Sequence, residues 1–324
     1  MNILVCGGAG YIGSQTAKTL AEAGHTPVVY DSLEKGHRWA VRWGPLVEGD
    51  LADRQRLAEA FSAYAIDAVI DFAAYLAVGE SMSHPEKYFR NNVANTLNLL
   101  GAMNDAGVKR IVFSSTAAVY GMPQVCPIPE DHPLAPVNVY GETKLMVETM
   151  LDWFSSCHGF VSAKLRYFNA AGADPEGEIG EDHDPETHLI PLVIAAALGK
   201  IPSVDLYGTD YPTPDGTAIR DYIHVADLAL AHLKALEYIV QSGRNLTANL
   251  GTGKGDSVRE VIRTAEKLSC KPIPVLEKPR RAGDPPELVA DSSRARKLLD
   301  WQPRYNLDDI LTHAWRWHRR SDPL

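Results

Sequence analysis

Short apolar segments alternate with longer amphipathic segments through the first half of the chain. Five apolar segments have the length of buried strands: Ile3–Cys6, Pro27–Tyr30, Ala68–Phe72, Arg110–Ser114 and Ala163–Tyr167. Four segments between them have helical periodicity: Tyr11–Ala23, Asp53–Tyr64, Glu86–Ala106 and Val139–Cys157. This β-α-β-α order predicts an α/β fold with a doubly wound parallel sheet that helices cover on both faces.

The pattern changes after Phe168. Polar, turn-rich segments become longer, and the predicted elements are these: helix Leu189–Leu198, strand Tyr222–His224, helix Ala226–Val240, strand Thr247–Leu250 and helix Val258–Leu268. We expect Tyr222–His224 and Thr247–Leu250 to return to the main sheet. A Pro-rich stretch, Lys271–Pro286, and two short helices follow.

A glycine-rich loop directly follows the first predicted strand and opens the first helix. Gly7, Gly10 and Gly13 form the pattern G-x-x-G-x-x-G. Small residues there allow backbone N–H groups to approach a pyrophosphate, and the helix N-terminus adds partial positive charge. Asp31 ends the second strand, where a carboxylate binds the adenosine ribose and repels a 2′-phosphate. The loop therefore predicts a dinucleotide site that prefers NAD to NADP.

These features define two predicted domains. The first is a Rossmann-type NAD-binding domain, residues 1–169 plus about 222–251. The second is a smaller α/β substrate-binding cap domain, residues 170–221 plus about 252–324. The length of 324 residues agrees with roughly two domains.

Composition and charge exclude several classes of protein. The net charge of −9 argues against a general nucleic-acid binder and against a partner of anionic membranes. No apolar stretch approaches the ~20 residues that span a bilayer, and the N-terminus lacks the pattern of a signal peptide. The 4 cysteines are scattered, which favours a reducing cytoplasm. Neither the cysteines nor the histidines, including His183 and His188 in a predicted loop, have metal-ligand spacing, so no metal is expected.

A hydroxyl, a phenol and an amine are candidates for catalysis. Thr116 follows a predicted strand, near the sheet edge where ligands of open α/β folds bind. Tyr140 and Lys144 are four residues apart near the start of a helix, so they share one face. A nearby ammonium favours the phenolate form of a tyrosine whose ordinary pKa is about 10. The three residues together indicate hydride chemistry on an alcohol, although Tyr-x-x-x-Lys alone has little weight.

At these residues the chain resembles the extended short-chain dehydrogenase/reductase superfamily and, within it, the family of UDP-glucose 4-epimerases. The resemblance extends from Gly7 to Trp315, and its most specific stretches are VGES at Val78–Ser81, NNV at Asn91–Val93, RYFN at Arg166–Asn169, RDYIHV at Arg220–Val225 and PRRAGD at Pro279–Asp284. It implies an isomerase that interconverts UDP-glucose and UDP-galactose through NAD-dependent oxidation at C4, rotation of the 4-keto sugar and hydride return to its opposite face. It also implies a homodimer, formed through the helices Glu86–Ala106 and Val139–Cys157.

The resemblance also implies which residues of this sequence bind the cofactor and the substrate. Those implied at the cofactor are Gly7, Gly10, Tyr11, Ile12, Gly13, Asp31, Asp50, Leu51, Phe72, Ala73, Asn92, Tyr140, Lys144 and Tyr167. Those implied at the UDP-sugar are Thr116, Tyr140, Asn169, His188, Leu189, Tyr207, Arg220, Arg281, Asp284 and Leu288. Arg220 and Arg281 also suit a pyrophosphate on chemical grounds, because guanidinium groups bind such oxygens in pairs.

Three positions depart from the pattern of many members. Thr116 replaces a serine but keeps the hydroxyl, and Leu76 replaces a lysine near the cofactor. Leu288 lies at the position thought to gate sugar size and is intermediate between an aromatic and a small residue. A 4-epimerase of UDP-N-acetylhexosamines or UDP-pentoses is therefore an alternative.

Other functions of the same fold fit less well. Ala117 and Ala118 follow Thr116 where a 4,6-dehydratase or a decarboxylase needs acidic groups. A non-catalytic NAD-binding regulator is a more distant alternative, because it has no need of Thr116, Tyr140 and Lys144 together.

Overall fold

The computed structural model describes residues 1–281 and 283–320. A parallel sheet of seven strands forms its centre, in the order β11-β6-β5-β4-β1-β2-β3. These strands are β1 (Asn2–Cys6), β2 (Thr26–Asp31), β3 (Leu46–Glu48), β4 (Ala68–Asp71), β5 (Arg110–Thr116), β6 (Val161–Tyr167) and β11 (Leu246–Leu250). The predicted α/β fold with a Rossmann-type sheet is thus confirmed, and of the strands in this sheet β3 alone was not predicted.

Alternate side chains of the strands face two separate hydrophobic cores. In β1, Ile3 and Val5 face one core, whereas Leu4 and Cys6 face the other. Because both faces are buried, β1 is apolar without a break from Ile3 to Cys6, as is typical of parallel strands. The helices that cover the sheet are α1 (Tyr11–Glu22), α2 (Arg54–Tyr64), α5 (Asn95–Asp105), α6 (Val139–His158), α8 (Val225–Ser242) and α10 (Ser293–Leu299).

The predicted helix Glu86–Ala106 is confirmed as one continuous helical run whose middle widens into π-helical turns. A separate short helix, α3 (Val78–Ser83), precedes it; α4 (Pro85–Tyr88) then continues directly into the π-helical segment Phe89–Ala94 and into α5. The buried Asn92 lies in the π-helical segment, and its amide binds the backbone of Tyr75 and the hydroxyl of Thr143. Wider turns of this kind let a helix place one side chain where regular winding would not.

A third core lies beyond the main sheet. Helices α7 (Leu189–Ala197), α9 (Val258–Ser269) and α11 (Leu307–His318) pack together there. Small sheets accompany them, made of β7 (Asn169–Ala171), β8 (Val204–Tyr207), β9 (Ile219–Arg220), β10 (Tyr222–His224), β12 (Asp256–Ser257), β13 (Val275–Lys278) and β14 (Glu287–Leu288).

Two further sequence predictions are corrected in this region. Tyr222–His224 pairs with β7 in a two-stranded sheet and does not join the main sheet, as β11 does. β7 lies in the turn-rich part of the chain that begins after Phe168, where the sequence predicted no strand. The division into two domains remains a prediction, and residues 321–324 at its end lie outside the described residues. Within the described residues, no helix is both long enough and apolar enough to cross a membrane.

Candidate active site

The glycine-rich loop turns tightly between β1 and α1. Gly7 has φ +72°, and a Cβ there would lie 2.9 Å from the backbone nitrogen of Ala73. A Cβ on Gly13 would lie 2.2 Å from the carbonyl oxygen of Gly7. Larger side chains would therefore push the loop away from β4 and from the first turn of α1. The loop leaves backbone N–H groups at the N-terminus of α1, which suits the phosphates of a dinucleotide.

Asp31 fixes the other side of this loop. It ends β2 with 8% exposure, and its carboxylate accepts hydrogen bonds from the backbone N–H groups of Ala9 and Leu33, each at 2.9 Å. Burial raises its pKa, and the two N–H donors oppose that rise. Carboxylate and glycine loop thus meet at the carboxyl end of β1 and β2, where a ribose beside a pyrophosphate would lie.

The other predicted cofactor residues lie around the same sheet edge. Phe72 and Ala73 follow β4, and Phe72 packs against His232 with ring centroids 4.7 Å apart. Tyr11 donates to the carbonyl oxygen of Gly172 at 2.7 Å, and Ile12 packs against the core. Asp50 follows β3 and accepts a hydrogen bond from Asn95 at 3.3 Å. Leu51 next to it is buried.

Thr116, Tyr140 and Lys144 converge at the carboxyl end of β5. Thr116 is the last residue of this strand, while Tyr140 and Lys144 lie in the first two turns of α6. The amine of Lys144 donates to the carbonyl oxygen of Ser114 at 2.8 Å. Burial raises the pKa of Tyr140, and a hydrogen bond with the Thr116 hydroxyl opposes the rise. The predicted hydroxyl, phenol and amine are therefore brought together.

Lys144 is buried next to a carboxylate that sequence reasoning missed. Burial lowers the pKa of Lys144 to about 8, and attraction to Asp71 opposes the fall. Asp71 ends β4 with 1% exposure, and burial raises its pKa to about 6. One of its oxygens accepts from Ala73, and the other has no hydrogen-bond partner among the described residues. An aspartate inside the apolar segment AVIDF was the signal that could have identified it.

A pair of hydroxyl groups and a buried ion pair lie next to these residues. Tyr167, at the end of β6, hydrogen-bonds with Ser114. Beneath them Arg166 and Glu148 form a buried ion pair, and Ser115 donates to the same carboxylate at 2.5 Å. Glu148 lies four residues after Lys144, so this pair holds α6 against β5 and β6. Arg166 belongs to the RYFN stretch of the family resemblance, but its partner Glu148 lies in a different segment that the resemblance does not mark.

The predicted substrate residues fall into three groups. Arg220 and Asp284 pair at 2.5 Å, and Asn169 lies beside them because its backbone N–H binds the carbonyl of Asp221. The guanidinium of Arg281 lies 4.0 Å from the ring centre of Tyr207. His188 and Leu189 begin α7, and His188 contacts Glu181.

Leu288 connects the strand of Arg220 with the residues that follow β5. Its backbone is paired with Arg220 in β9, and its side chain packs against the small core of Ala117, Val119 and Tyr120. The role of Leu288 near a sugar stays a prediction. The structure does not bring Tyr207 into hydrogen-bond contact with the Arg220 and Asp284 pair, and its hydroxyl instead contacts Asp205 at 3.3 Å.

A dinucleotide-type glycine loop beside a Thr-Tyr-Lys site defines a nucleotide-dependent oxidoreductase-like enzyme of the Rossmann class. Comparison with known proteins narrows the class. Residues 3–251 match the model of the NAD dependent epimerase/dehydratase family. The chain is 50% identical over 320 residues to the UDP-glucose 4-epimerase of Rhizobium leguminosarum bv. trifolii, covering 99% of this chain and 98% of that protein.

Solved structures agree with this assignment. The crystal structure of UDP-glucose 4-epimerase from Brucella ovis in complex with NAD has a TM-score of 0.95 and 51% identity over 97% of each chain. The enzyme from Stenotrophomonas maltophila, with bound NAD and formylated UDP-arabinopyranose, has a TM-score of 0.95 and 42% identity over 98% of each chain. The chain therefore belongs to the NAD-dependent epimerase/dehydratase family, as an isomerase of the UDP-glucose 4-epimerase group whose cofactor is NAD.

Proposed function

We propose that this enzyme interconverts UDP-glucose and UDP-galactose by inverting C4 of the hexose. The observation that carries this proposal is the convergence of Thr116, Tyr140 and Lys144 at the edge of the sheet that also holds the glycine loop. An alcohol carbon placed there has a proton acceptor on one side and the cofactor site on the other. NAD, when bound, supplies a hydride acceptor that can return the hydride.

The chain's own residues supply the proton chemistry. Tyr140 takes the proton of the sugar 4-hydroxyl while the C4 hydrogen leaves as hydride, so C4 becomes a carbonyl. The positive charge of Lys144 and the Thr116 hydroxyl stabilise the phenolate of Tyr140. The same phenol returns the proton when hydride comes back to the opposite face of the sugar. No proton or electron is gained or lost over the full cycle.

The inversion needs firm binding of the nucleotide and loose binding of the hexose. Arg220 is held by its own strand and by Asp284, so its remaining N–H groups are fixed in direction. Fixed guanidinium donors suit the pyrophosphate of UDP, and Arg281 offers a second group on the ring of Tyr207. Binding energy on the nucleotide then retains the 4-keto sugar while the hexose turns. We place the residues predicted at the cofactor and at the UDP-sugar in these roles.

We also propose a homodimer in the cytoplasm. Leu97 on α5 and Met146 and Trp153 on α6 expose 48%, 39% and 66% of their side chains. Met146 and Trp153 are seven residues apart and so share one face of α6. An apolar face of this kind suits a two-fold contact between copies. The four cysteines are free, which fits a reducing compartment.

One incubation tests the proposed reaction. Purified enzyme without added NAD receives UDP-galactose, and UDP-glucose is quantified; UDP-N-acetylgalactosamine and UDP-xylose are run in parallel. We expect conversion of UDP-galactose and a loss of at least about 100-fold in Tyr140→Phe, with bound NAD retained. Tyr64→Phe, a change of the same size on α2, serves as the matched control and should keep full turnover. NAD release without conversion of any of the three sugars would overturn the substrate assignment.

A further inference from the structure

Four side chains converge on the loop that precedes α7. Glu181, His183, Glu186 and His188 each offer one ligand atom, and these four atoms lie within 4.8 Å of one another. His183 Nδ1 lies 3.3 Å from Glu181 Oε1 and 3.6 Å from Glu186 Oε2. His188 Nδ1 contacts the same Glu181 oxygen and lies 3.9 Å from Glu186 Oε1. Both imidazoles thus direct the same type of nitrogen at the same two carboxylates.

The separations around His183 are those of a tetrahedral zinc site, and the direct contact between His188 and Glu181 would give way to the ion. Zinc binds imidazole nitrogen and carboxylate oxygen at about 2.0–2.2 Å, so two ligand atoms of a tetrahedron lie roughly 3.3–3.6 Å apart. Two carboxylates and two neutral imidazoles also balance the charge of a divalent ion. We propose that Glu181, His183, Glu186 and His188 form a binding site for a divalent cation of the zinc class.

The backbone that carries the four ligands is already fixed by its neighbours. Trp317 on α11 donates its indole N–H to the carbonyl oxygen of Glu181 at 3.0 Å. Lys35 Nζ donates to the carbonyl of Asp184 at 3.0 Å, and His37 Nε2 lies 2.9 Å from that of Asp182. These contacts come from α11 and from the segment after β2. A loop held in this way loses little conformational freedom when it binds an ion.

The side chains are held as firmly as the backbone. Glu181 is 2% exposed, so its carboxylate is shielded from water. Glu186 Oε1 accepts from the backbone N–H groups of Thr187 and His188 at 2.7 and 2.8 Å. The ring of His183 packs edge-on against Tyr11 with centroids 6.3 Å apart. Hydrogen bonds to a ligating carboxylate and packing of a ligating ring are what orient the ligands of a metal site.

The donor set also selects the class of ion and its role. Magnesium and calcium prefer six or more oxygen ligands, whereas imidazole suits zinc. Four protein ligands leave no open position, which is typical of structural zinc. Such an ion would join the start of α7 to the first turn of α1, next to the glycine loop. His188 uses only Nδ1 here, so its Nε2 stays available to the UDP-sugar.

The spacing of the two histidines, His-x-x-x-x-His, gave no metal signal in the sequence. The fold of the loop brings the ligands together, and a metal-free cluster of ion pairs is the competing explanation.

A zinc titration distinguishes the two explanations. Full-length NAD-bound enzyme is stripped with a chelator, dialysed and titrated with zinc chloride by calorimetry, and its Tm is measured with and without zinc. We expect one zinc per chain and a rise in Tm, since an ion that binds only the folded state stabilises it.

Variants locate the ion. His183→Gln and Glu186→Gln should each weaken zinc binding by at least about 100-fold and abolish the zinc-dependent rise in Tm. His158→Gln, beside the exposed Cys157 on another surface, should bind zinc as the wild type does. With cobalt in place of zinc, the intense visible absorption of tetrahedral cobalt should appear in the wild type and vanish in both variants. If one variant fails to fold, the other gives the answer.

The proposal is overturned if stripped wild-type enzyme takes up no stoichiometric zinc. It is equally overturned if His183→Gln and Glu186→Gln bind zinc as tightly as the wild type, or if His158→Gln removes the binding. None of these readouts depends on turnover, so they are independent of the proposed reaction.

Discussion

The guanidinium of Arg220 donates one hydrogen bond to the carboxylate of Asp284 at 2.5 Å and another to the carbonyl oxygen of Ile219 at 2.7 Å. The arginine side chain is 11% exposed, against 30% for Asp284. A guanidinium has five N–H donors, so these two bonds fix its plane and leave others for an anion.

Arg220→Lys should therefore raise KM for the UDP-sugar about 10- to 100-fold, with a smaller effect on kcat. A lysine keeps the charge but loses the fixed pair of donors, and a hydrogen bond to a charged group is worth about 1.5–3 kcal/mol. Asp284→Asn should raise KM less, because it loosens Arg220 without removing it. Steady-state kinetics with UDP-galactose measures both.

The matched control is Asp210→Asn, which breaks the exposed pair that Asp210 forms with Arg280. Exposed pairs contribute little, so KM should stay within about twofold of the wild type. An Asp210→Asn effect as large as that of Asp284→Asn would show that general charge, and not the pair of Arg220 with Asp284, controls nucleotide binding.

Asp71→Asn should stabilise the fold at neutral pH. The folded-state pKa of Asp71 is raised to about 6, above the unfolded value near 3.9. The folded state therefore disfavours the ionised carboxylate, and the free energy of unfolding is lower at high pH. The stability due to the protonated form is complete below pH ~4 and is lost as the pH rises through about 6. An uncharged amide avoids that loss, which is at most about 3 kcal/mol at pH 7. The difference in Tm from wild type should therefore shrink as the pH falls from 7 to 5.

The same variant should shift the pH dependence of turnover. Asp71 attracts the ammonium of Lys144, so its removal lowers the pKa of Lys144 further below about 8. The alkaline limb of kcat/KM should then move to lower pH. Asp67→Asn, at the exposed position just before the same strand, is the control and should leave both Tm and the pH profile in place. An unchanged alkaline limb in Asp71→Asn would separate Asp71 from the proton chemistry.

Local sequence patterns were sufficient to predict the glycine loop and the strand ends around it. Gly7, Gly13 and Asp31 lie within 25 residues of one another, and their spacing reflects contacts within one β-α-β unit. The confirmed sheet followed from the same alternation. Tyr140 and Lys144 needed only the period of a helix.

Such local patterns could not predict contacts between distant parts of the chain. The helix predicted over Glu86–Ala106 contains π-helical turns where Asn92 binds Tyr75 and Thr143, and the helical period reveals neither the turns nor the partners. Arg220 and Asp284 are 64 positions apart, and from spacing alone each is an ordinary surface charge. Only the family resemblance directed attention to them.

Leu288 should control which sugars are accepted. Its side chain packs against Ala117, Val119 and Tyr120, which follow Thr116, the proposed catalytic hydroxyl. Leu288→Tyr should fill space beside the sugar and reduce turnover of UDP-N-acetylgalactosamine about tenfold or more relative to UDP-galactose, and Leu288→Ala should change the ratio in the opposite direction. Leu298→Ala, on the exposed side of α10, controls for the loss of a leucine. If the ratio of turnover of the two UDP-sugars is the same in the wild type and in all three variants, the sugar does not bind beside Leu288.

Trp153→Glu should convert the proposed dimer into a monomer. The indole is 66% exposed on a helix whose neighbouring stripe residue, Met146, is also apolar, and a charge at the centre of a packed contact is costly to bury. Leu276→Glu, on the exposed face of β13, introduces the same charge at an apolar side chain of 47% exposure outside that face. Light scattering at micromolar concentration should give twice the chain mass of 35.5 kDa for the wild type and for Leu276→Glu, and a single chain mass for Trp153→Glu. A wild-type mass of one chain would refute the dimer. If Trp153→Glu is still a dimer, the contact between the two copies does not involve this face of α6.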